Sequence, residues 1–362
     1  MAKDSSSLEN WQWEGRVVVG LDLSDRVSTW EAVDENGEVR RGKVRMTAAD
    51  LARTFARPGM RVVIEAGNQA FWVNRELVRL GHEVLVLDAR QMGPSRGRRK
   101  TDREDARQLV QWGVRAGRPG EDVRTVRQRT QEQQLDLTTV RMRDSLVRAR
   151  GQLISSVRGA MKPYGARIGE HSAESFAKFA REELEAALVA KVEPVLAAVE
   201  ALTETIKEAE KGMREVLERR SEEADRLRQV DGVGPVTTAV LLTVVGDPRR
   251  FKNGRDLAAY LGLVPGVQQS GEMDPQLGIS KAGDKLARRV LVQAAHYILG
   301  AFGKDSTLRR WGLALAGEGS SIKKRKAVIA VARKLVVLLH RLWLSGEAYE
   351  PLRGCKAEAI AA

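Results

Sequence analysis

RVVVGLDLS, residues 16–24, decides the architecture of the first part of the chain: an unbroken apolar run that ends on a carboxylate, Asp22. Apolar residues without alternation are the pattern of a strand buried on both faces. Working outward, STWEAVDENGEVRRGKV, residues 28–44, reads as two strands around Asn36-Gly37, the strongest short hairpin signal. TAADLARTFARPG, 47–59, reads as a helix started by a Thr cap and stopped by Pro58-Gly59. RVVIEAG, 61–67, is a second apolar strand and ends on Glu65, FWVNRELVRLG, 71–81, a helix ended by Gly81, and HEVLVLDA, 82–89, a third buried strand. Strand, hairpin, helix, strand, helix, strand predicts a mixed α/β sheet with a leading meander.

Further on the pattern turns helical. The chain reads as helix from about Val123 to Met161. Val195, Val199, Leu202, Ile206, Ala209, Met213 and Val216 keep a strict 4,3 alternation, the heptad signature of a coiled-coil seam. Pro194 suits the first turn of that helix, which would leave Leu188 and Val192 to a preceding segment. A seam this narrow packs either within the chain as a helical hairpin or between two copies, and the expectation here is dimerisation. A second globular region begins near Leu227, where Gly232-Val-Gly234-Pro235 opens an apolar helix. A last helix, 322–344, starts with KKRK.

The 362 residues carry 61 Lys and Arg against 48 Asp and Glu, a formal charge of +13. The distribution is more informative than the sum: residues 89–130 carry a net +7, 167–226 a net −5 and 281–341 a net +11. Two basic regions flanking an acidic one fit two polyanion-contacting regions joined by a connector that faces protein or solvent. A single cysteine, Cys355, excludes a disulfide framework and a Cys-based zinc site. Four scattered histidines argue against a histidine metal centre or a Ser-His-Asp triad. With no run of 18 apolar residues and a polar start that is not a signal peptide, the expectation is a cytoplasmic protein without a membrane partner.

Four carboxylates attract attention. Asp22 and Glu65 close apolar strands, and the carboxyl end of a sheet is where ligands usually bind. Asp102 and Asp105 lie three apart in KTDREDARQLV, hence on one face of a helix. Such an oxygen-rich set suits a pair of hard divalent cations, which can activate an attacking oxygen and stabilise the leaving oxygen of a phosphodiester. Each residue also has a plainer reading: Asp22 as a turn residue, and Asp102 as a helix-end residue beside the capping box Thr101-x-x-Glu104.

Gly232-Val-Gly234 before a helix is similar to the hairpin of a helix-hairpin-helix element, whose backbone N–H groups bind phosphate. Candidate cations are Arg98, Arg99 and Lys100, then Lys281, Arg288 and Arg289, then Lys323, Lys324, Arg325 and Lys326. Ser280, directly before KAGDKLARRVL, reads as a helix N-cap; Ser270 reads by itself as a turn serine, although Arg or a metal could activate such a group towards a phosphodiester.

Taken together, VVVGLDLS, VVIEAG, KTDREDARQL, VDGVGPVTTAVLLTVVGDPRRFKNGRDLAAYLGLVPGVQQSG and GISKAGDKLARRVLVQAA resemble, in order and spacing, the transposases of the bacterial insertion-sequence family one-ten, the DEDD or bridge-RNA-guided recombinases. The resemblance implies an α/β plus α protein. After an N-terminal tail (1–15) would come a RuvC-like (RNase H-type) domain at 16–122, with Asp22, Glu65, Asp102 and Asp105 holding Mg²⁺, two ions per site in the family's manner. A coiled-coil linker (123–226), a mainly helical transposase domain (227–345) and a C-terminal tail (346–362) would follow. It further implies Ser270 as the nucleophile that forms a phosphoserine bond to DNA, donor and target DNA as substrates, a structured noncoding guide RNA, and a homodimer or a tetramer on DNA. The stretch AGNQAFW after Glu65 and the acidic start of EMDPQLG depart from the family's commoner pattern.

Overall fold

The computed structural model describes residues 15–88, 101–266 and 277–353, together with 3–4, 8 and 11–13. By internal contacts the chain divides into two compact units, Met1–Thr130 and Gln131–Ala362.

The first unit is built on one mixed sheet. β1 (Lys3–Asp4), β2 (Val18–Asp22), β3 (Val27–Val33), β4 (Val39–Arg45), β5 (Arg61–Glu65) and β6 (Glu83–Leu87) lie in the order β1-β4-β3-β2-β5-β6. β2, β3 and β4 form the expected antiparallel meander, and β5 and β6 continue the sheet in parallel from β2. Between β3 and β4 the turn closes on Asn36-Gly37, with Gly37 at φ 82° and its N–H donating to the Asp34 carbonyl. The period-two geometry of a strand sorts the apolar run of β2 between two cores. Val17, Val19 and Leu21 join Trp30, Val62 and Ile64 under α1 (Ala48–Thr54) and α2 (Ala70–Arg79). Val18 faces the other way, with Val63 and Leu87, under Leu109 and Val110 of α3 (Asp102–Arg115).

Two expectations are corrected in this unit. The N-terminal stretch read as a tail places Leu8 and Trp11 in the core, each 1% exposed, and the burial of these two large apolar side chains anchors it to the sheet unit. Residues 123–130 are extended rather than helical. Val126 N–H donates to the Val86 carbonyl and Thr125 bridges Leu87, so this segment occupies backbone groups of the β6 edge that would otherwise lack partners.

The second unit is helical: α4 (Gln131–Met161), α5 (Phe176–Glu183), α6 (Ala186–Arg219), α7 (Ser221–Arg228), α8 (Pro235–Val245), α9 (Gly254–Tyr260), α10 (Lys285–Leu299), α11 (Thr307–Ala316) and α12 (Ser321–Ser345). α8 is buried from Thr237 to Val245 and forms the axis of a core closed by α10, α12 and the near ends of α4 and α6. The far end of the α4–α6 hairpin has its own core around Phe176, Leu196 and Val199. The heptad face, expected to dimerise, closes instead against α4 and α5 within the chain, and its buried line runs through Val192, Leu196, Val199, Thr203, Ile206, Met213 and Leu217. Pro194 does not start this helix but lies inside it. The helix continues through the proline because Val192 and Leu196, buried on either side, hold it in place against the loss of one backbone hydrogen bond. Beyond the last helix, Tyr349 packs on the core and the Pro351 carbonyl accepts the Thr307 N–H.

Candidate active site

Asp22 and Glu65 are the last residues of β2 and β5, adjacent parallel strands in which Leu21 is registered with Ile64. The two carboxylates therefore stand on neighbouring strands at the same sheet end. α3 is pressed onto this pair from one face. A Cβ on Gly20 would meet the Ala106 carbonyl and the Val110 nitrogen, and a Cβ on Gly113 would meet Val18 and Val63. Helix residue 113 thus lies over the start of β2, at Val18, and residue 106 over its middle, at Gly20, so the first turn, with Asp102 and Asp105, extends towards the end occupied by Asp22 and Glu65. Asp105, Asp22 and Glu65 are half-buried and Asp102 is exposed.

Local chemistry fixes both ends of α3. Thr101 caps its start by accepting the Glu104 N–H at 3.3 Å, as the capping-box reading expects. Arg61, buried at the start of β5, donates to the Gly113 and Ala116 carbonyls at 3.1 and 2.6 Å while forming a two-pronged ion pair with Glu83. This clamp is invisible in the sequence, since only the fold brings Arg61 under the helix end. Gln69 is a second residue the sequence does not single out. Its amide donates to Asp25, in the loop after β2, at 3.2 Å and accepts from the Trp72 indole, so it ties together the loops that follow Asp22 and Glu65. Both Gln69 and Trp72 belong to the AGNQAFW stretch that departs from the family's commoner pattern.

The donor set is all oxygen and suits Mg²⁺ in its chemistry. Among the described residues, however, no three Asp, Glu, His or Cys side chains come together as a group able to hold a metal ion. The strand ends and the helix end are brought to one place, but their carboxylates are not gathered into a coordination shell.

Ser270 lies outside the described residues, as do Arg98, Arg99 and Lys100. The stem from which the serine loop departs is described. Gly266 N–H donates to the Gly278 carbonyl at 2.9 Å, Ser280 N–H to Val264 at 2.8 Å and Lys281 N–H to Gly262 at 3.2 Å. Lys281 itself is held at φ 53°, a left-handed conformation that is strained for a residue with a Cβ. Ser280 is not the N-cap of the following helix. Asp284 is, its carboxylate accepting the Ala287 N–H at 2.9 Å, because the Lys281–Gly283 turn delays the helix by one turn. Arg288 donates to the Leu261, Ala282 and Gly283 carbonyls and staples the stem to α10, while Arg289 pairs with Asp144 of α4. Gly232, at φ 86°, lies against Ala294, Tyr297 and Ile298 of α10; Gly234 is the extended N-cap of α8. Lys323, Lys324, Arg325 and Lys326 form the exposed first turns of α12.

Residues 224–308, from α7 through the serine stem and α10, match the Transposase IS116/IS110/IS902 family. Along nearly its whole length the chain is 30% identical to the putative transposase y4pF/y4sB of Sinorhizobium fredii, an alignment that covers 93% of this chain and 86% of that protein. The chain belongs to the IS116/IS110/IS902 transposase family. It is 29% identical to a probable family 20 transposase of Pseudomonas aeruginosa, over 92% of this chain and 98% of that one. To the transposase for insertion sequence element IS1111A of Coxiella burnetii it is 28% identical, over 92% and 91%. This transposase is thus an enzyme that acts on DNA, and among its described residues no helix is long and apolar enough to cross a membrane. The matched block contains the stem, its Arg288 staple and both glycines before α8, whereas the carboxylates lie in the part that only the full-length relatives cover.

Proposed function

We propose that this transposase cuts and rejoins DNA strands with two sets of groups: the carboxylates Asp22, Glu65, Asp102 and Asp105, which would hold Mg²⁺, and Ser270, the nucleophile. The observation that carries the reading is the placement of Asp22 and Glu65 on adjacent strand ends with the acidic first turn of α3 directed to the same end. The order β4-β3-β2-β5-β6 supports a RuvC-like domain, and the separate core at the far end of the α4–α6 hairpin supports a coiled-coil linker distinct from a transposase domain, with the hairpin's near end joining the core around α8. Bound cations would neutralise the phosphate and stabilise charge that develops on its oxygens.

In the first step the Ser270 oxygen, having lost its proton, bonds to phosphorus while the bond to the leaving strand's oxygen breaks, and that oxygen takes up a proton. A hydroxyl of another strand then displaces the serine, so bond energy is conserved and no external energy source is needed. Structured noncoding RNA would pair with donor and target DNA, which removes the need for a base-reading helix, and a homodimer, or a tetramer on DNA, would bring two half-sites together.

The test is a denaturing gel on element-end DNA with Mg²⁺ and RNA transcribed from the DNA flanking the coding region. We expect a covalent protein–DNA adduct that Ser270→Ala abolishes, and Asp22→Ala or Asp105→Ala to remove cleavage at nearly unchanged DNA affinity. Free cleaved ends from Ser270→Ala would make water the nucleophile and the protein a RuvC-like nuclease. Loss of DNA affinity in the aspartate variants would reassign those residues to folding.

A further inference from the structure

A cavity of about 820 Å³ opens within the helical unit between α11, α12 and the serine stem. Its floor is apolar, made by Ile329, Ala330, Val337 and Leu338 on one side of α12 with Leu308 and Trp311 of α11. Its walls are cationic: Lys326, Arg333, Lys334 and Arg341 follow one another along α12, and Arg255 faces them from α9. Glu350 is the one carboxylate among the described lining residues, and the cation Arg353 is already paired with Glu347 at 2.9 Å. Lys334 holds its ammonium 3.8 Å from the centre of the Trp311 ring. Among the described residues none of Lys326, Arg333, Arg341 and Arg255 has a carboxylate partner. A row of uncompensated cations repels itself, and a polyanion lying along it relieves that repulsion.

From Lys326 to Arg341 the row extends about 22 Å at 1.5 Å per residue, the rise of roughly six stacked nucleotides. A duplex would meet the cations but leave the floor unused, since its base faces are stacked inside. An unpaired strand uses both, with phosphates on the cations and base faces on apolar and aromatic side chains.

We propose that this groove binds a single-stranded segment of nucleic acid, its phosphates on the α12 cations and its bases against the α11–α12 floor. The proposal rests on the reading that this transposase handles unpaired DNA or RNA, and concerns where such a strand is held, not the chemistry done on it.

Fluorescence anisotropy on the full chain tests it, with labelled oligo-dT, oligo-U and a mixed-sequence duplex, each about 12 nucleotides long. Arg333→Ala with Arg341→Ala should weaken both single strands by about tenfold or more and reduce the log–log salt slope by about 1.4, or 0.7 for each of two phosphates released. Duplex affinity should change by less than about twofold, and the double lysine variant should keep single-strand affinity within about threefold because the charge remains. Ile329→Asn should weaken single strands with the salt slope unchanged, the signature of the floor. A preference between oligo-dT and oligo-U identifies whether DNA or RNA is the occupant. Equal losses for duplex and single strands would overturn the proposal in favour of a phosphate-only surface. Unchanged single-strand binding would also overturn it. In that case, a lowered sedimentation mass in the alanine variant would make a second copy the occupant, and a gain of binding on deleting residues 354–362 would make the chain's own C-terminus the occupant. Because the assay is run in EDTA, it stands or falls separately from cleavage.

Discussion

The helix α3 and the helix α6 both pack along much of their length within their own unit, but they are held in opposite ways. α3 sits on the sheet through glycine: at Gly20 and Gly113 the backbone of one element touches the other with no room for a methyl group. α6 meets α4 through adaptable side chains. Arg143 pairs with Glu210 at 2.5 Å, Arg219 pairs with Asp136, and the buried Arg150 donates to Thr203 at 3.1 Å. The difference teaches which interface must keep exact geometry. The helix that carries Asp102 and Asp105 is fixed by backbone contact, whereas the α4–α6 hairpin is fixed by groups that can shift without leaving voids.

The strongest way to break this comparison is Gly20→Val. The new side chain meets backbone atoms of Ala106 and Val110, which cannot rotate away, so α3 must lift from the sheet. We expect a loss of about 3 kcal/mol or more in the sheet unit, read in urea unfolding, together with loss of strand exchange even where the fold persists. Unchanged stability would show that α3 is not seated as described.

Next in size is Arg61→Ala. It leaves two carbonyls at the end of α3 and the Glu83 carboxylate without their partner, and charged hydrogen bonds of this kind are worth about 1.5–3 kcal/mol each in favourable cases. Glu83 is half-exposed and recovers water, so we expect about 2 kcal/mol in total. Activity should fall further than stability if the clamp positions the acidic first turn. Equal falls, or rescue of activity by raising stability elsewhere, would limit Arg61 to folding.

These two positions also mark what could be read in the sequence. Strands β2 to β6 were legible because buried strands have a simple pattern and Asn36-Gly37 fixes the turn; the start of α3 was legible from its own cap at Thr101. Asp22, Glu65, Asp102 and Asp105 could be singled out because each lies at an element's end. Arg61, Gln69 and the glycine contact could not, since the partners that place them are 22 to 95 residues away and arrive only through folding. Local rules misled where two of them competed. Pro194 has the right chemistry for a helix start, yet packing on both sides carries α6 through it. Ser280 has the right chemistry for a cap, yet the strained turn at Lys281 gives that role to Asp284. Residues 123–130 have a helical composition, yet the open edge of β6 claims their backbone.

In the hairpin the comparison predicts tolerance. Arg150 is buried with one nitrogen, Nε, lacking a partner, so its guanidinium is desolvated without full compensation. Arg150→Met fills the same space without that cost, and buried polar groups replaced by apolar ones of similar shape leave stability unchanged or raise it by about 1 kcal/mol or more. A loss above about 2 kcal/mol in thermal unfolding would mean that the Thr203 contact sets the register of the two helices, and the hairpin would then be as exacting as α3.

The smallest effect separates the units by pH. In the sheet unit burial pushes the His82 imidazole down, against a smaller upward pull from its bond to the Phe55 carbonyl at 2.9 Å. Its pKa is lower folded than unfolded, so the unfolded chain takes up the proton first, and the sheet unit loses stability as pH falls below the ordinary histidine value of about 6.5. In the helical unit burial would push Asp284 up, but the Ala287 N–H and Arg141 together outweigh it and hold the carboxyl below its usual value. That contribution is present above the unfolded pKa of about 3.9 and is lost only as pH falls through the lower folded value. Between about pH 6 and 4 these two groups therefore weaken the sheet unit and leave the helical unit alone. Hydrogen exchange at pH 7 and pH 5 should show faster opening of β5 and α1 with the protection of α8 and α10 unchanged. His82→Gln should remove that pH dependence from the sheet unit, and its persistence in the variant would transfer the effect to another group.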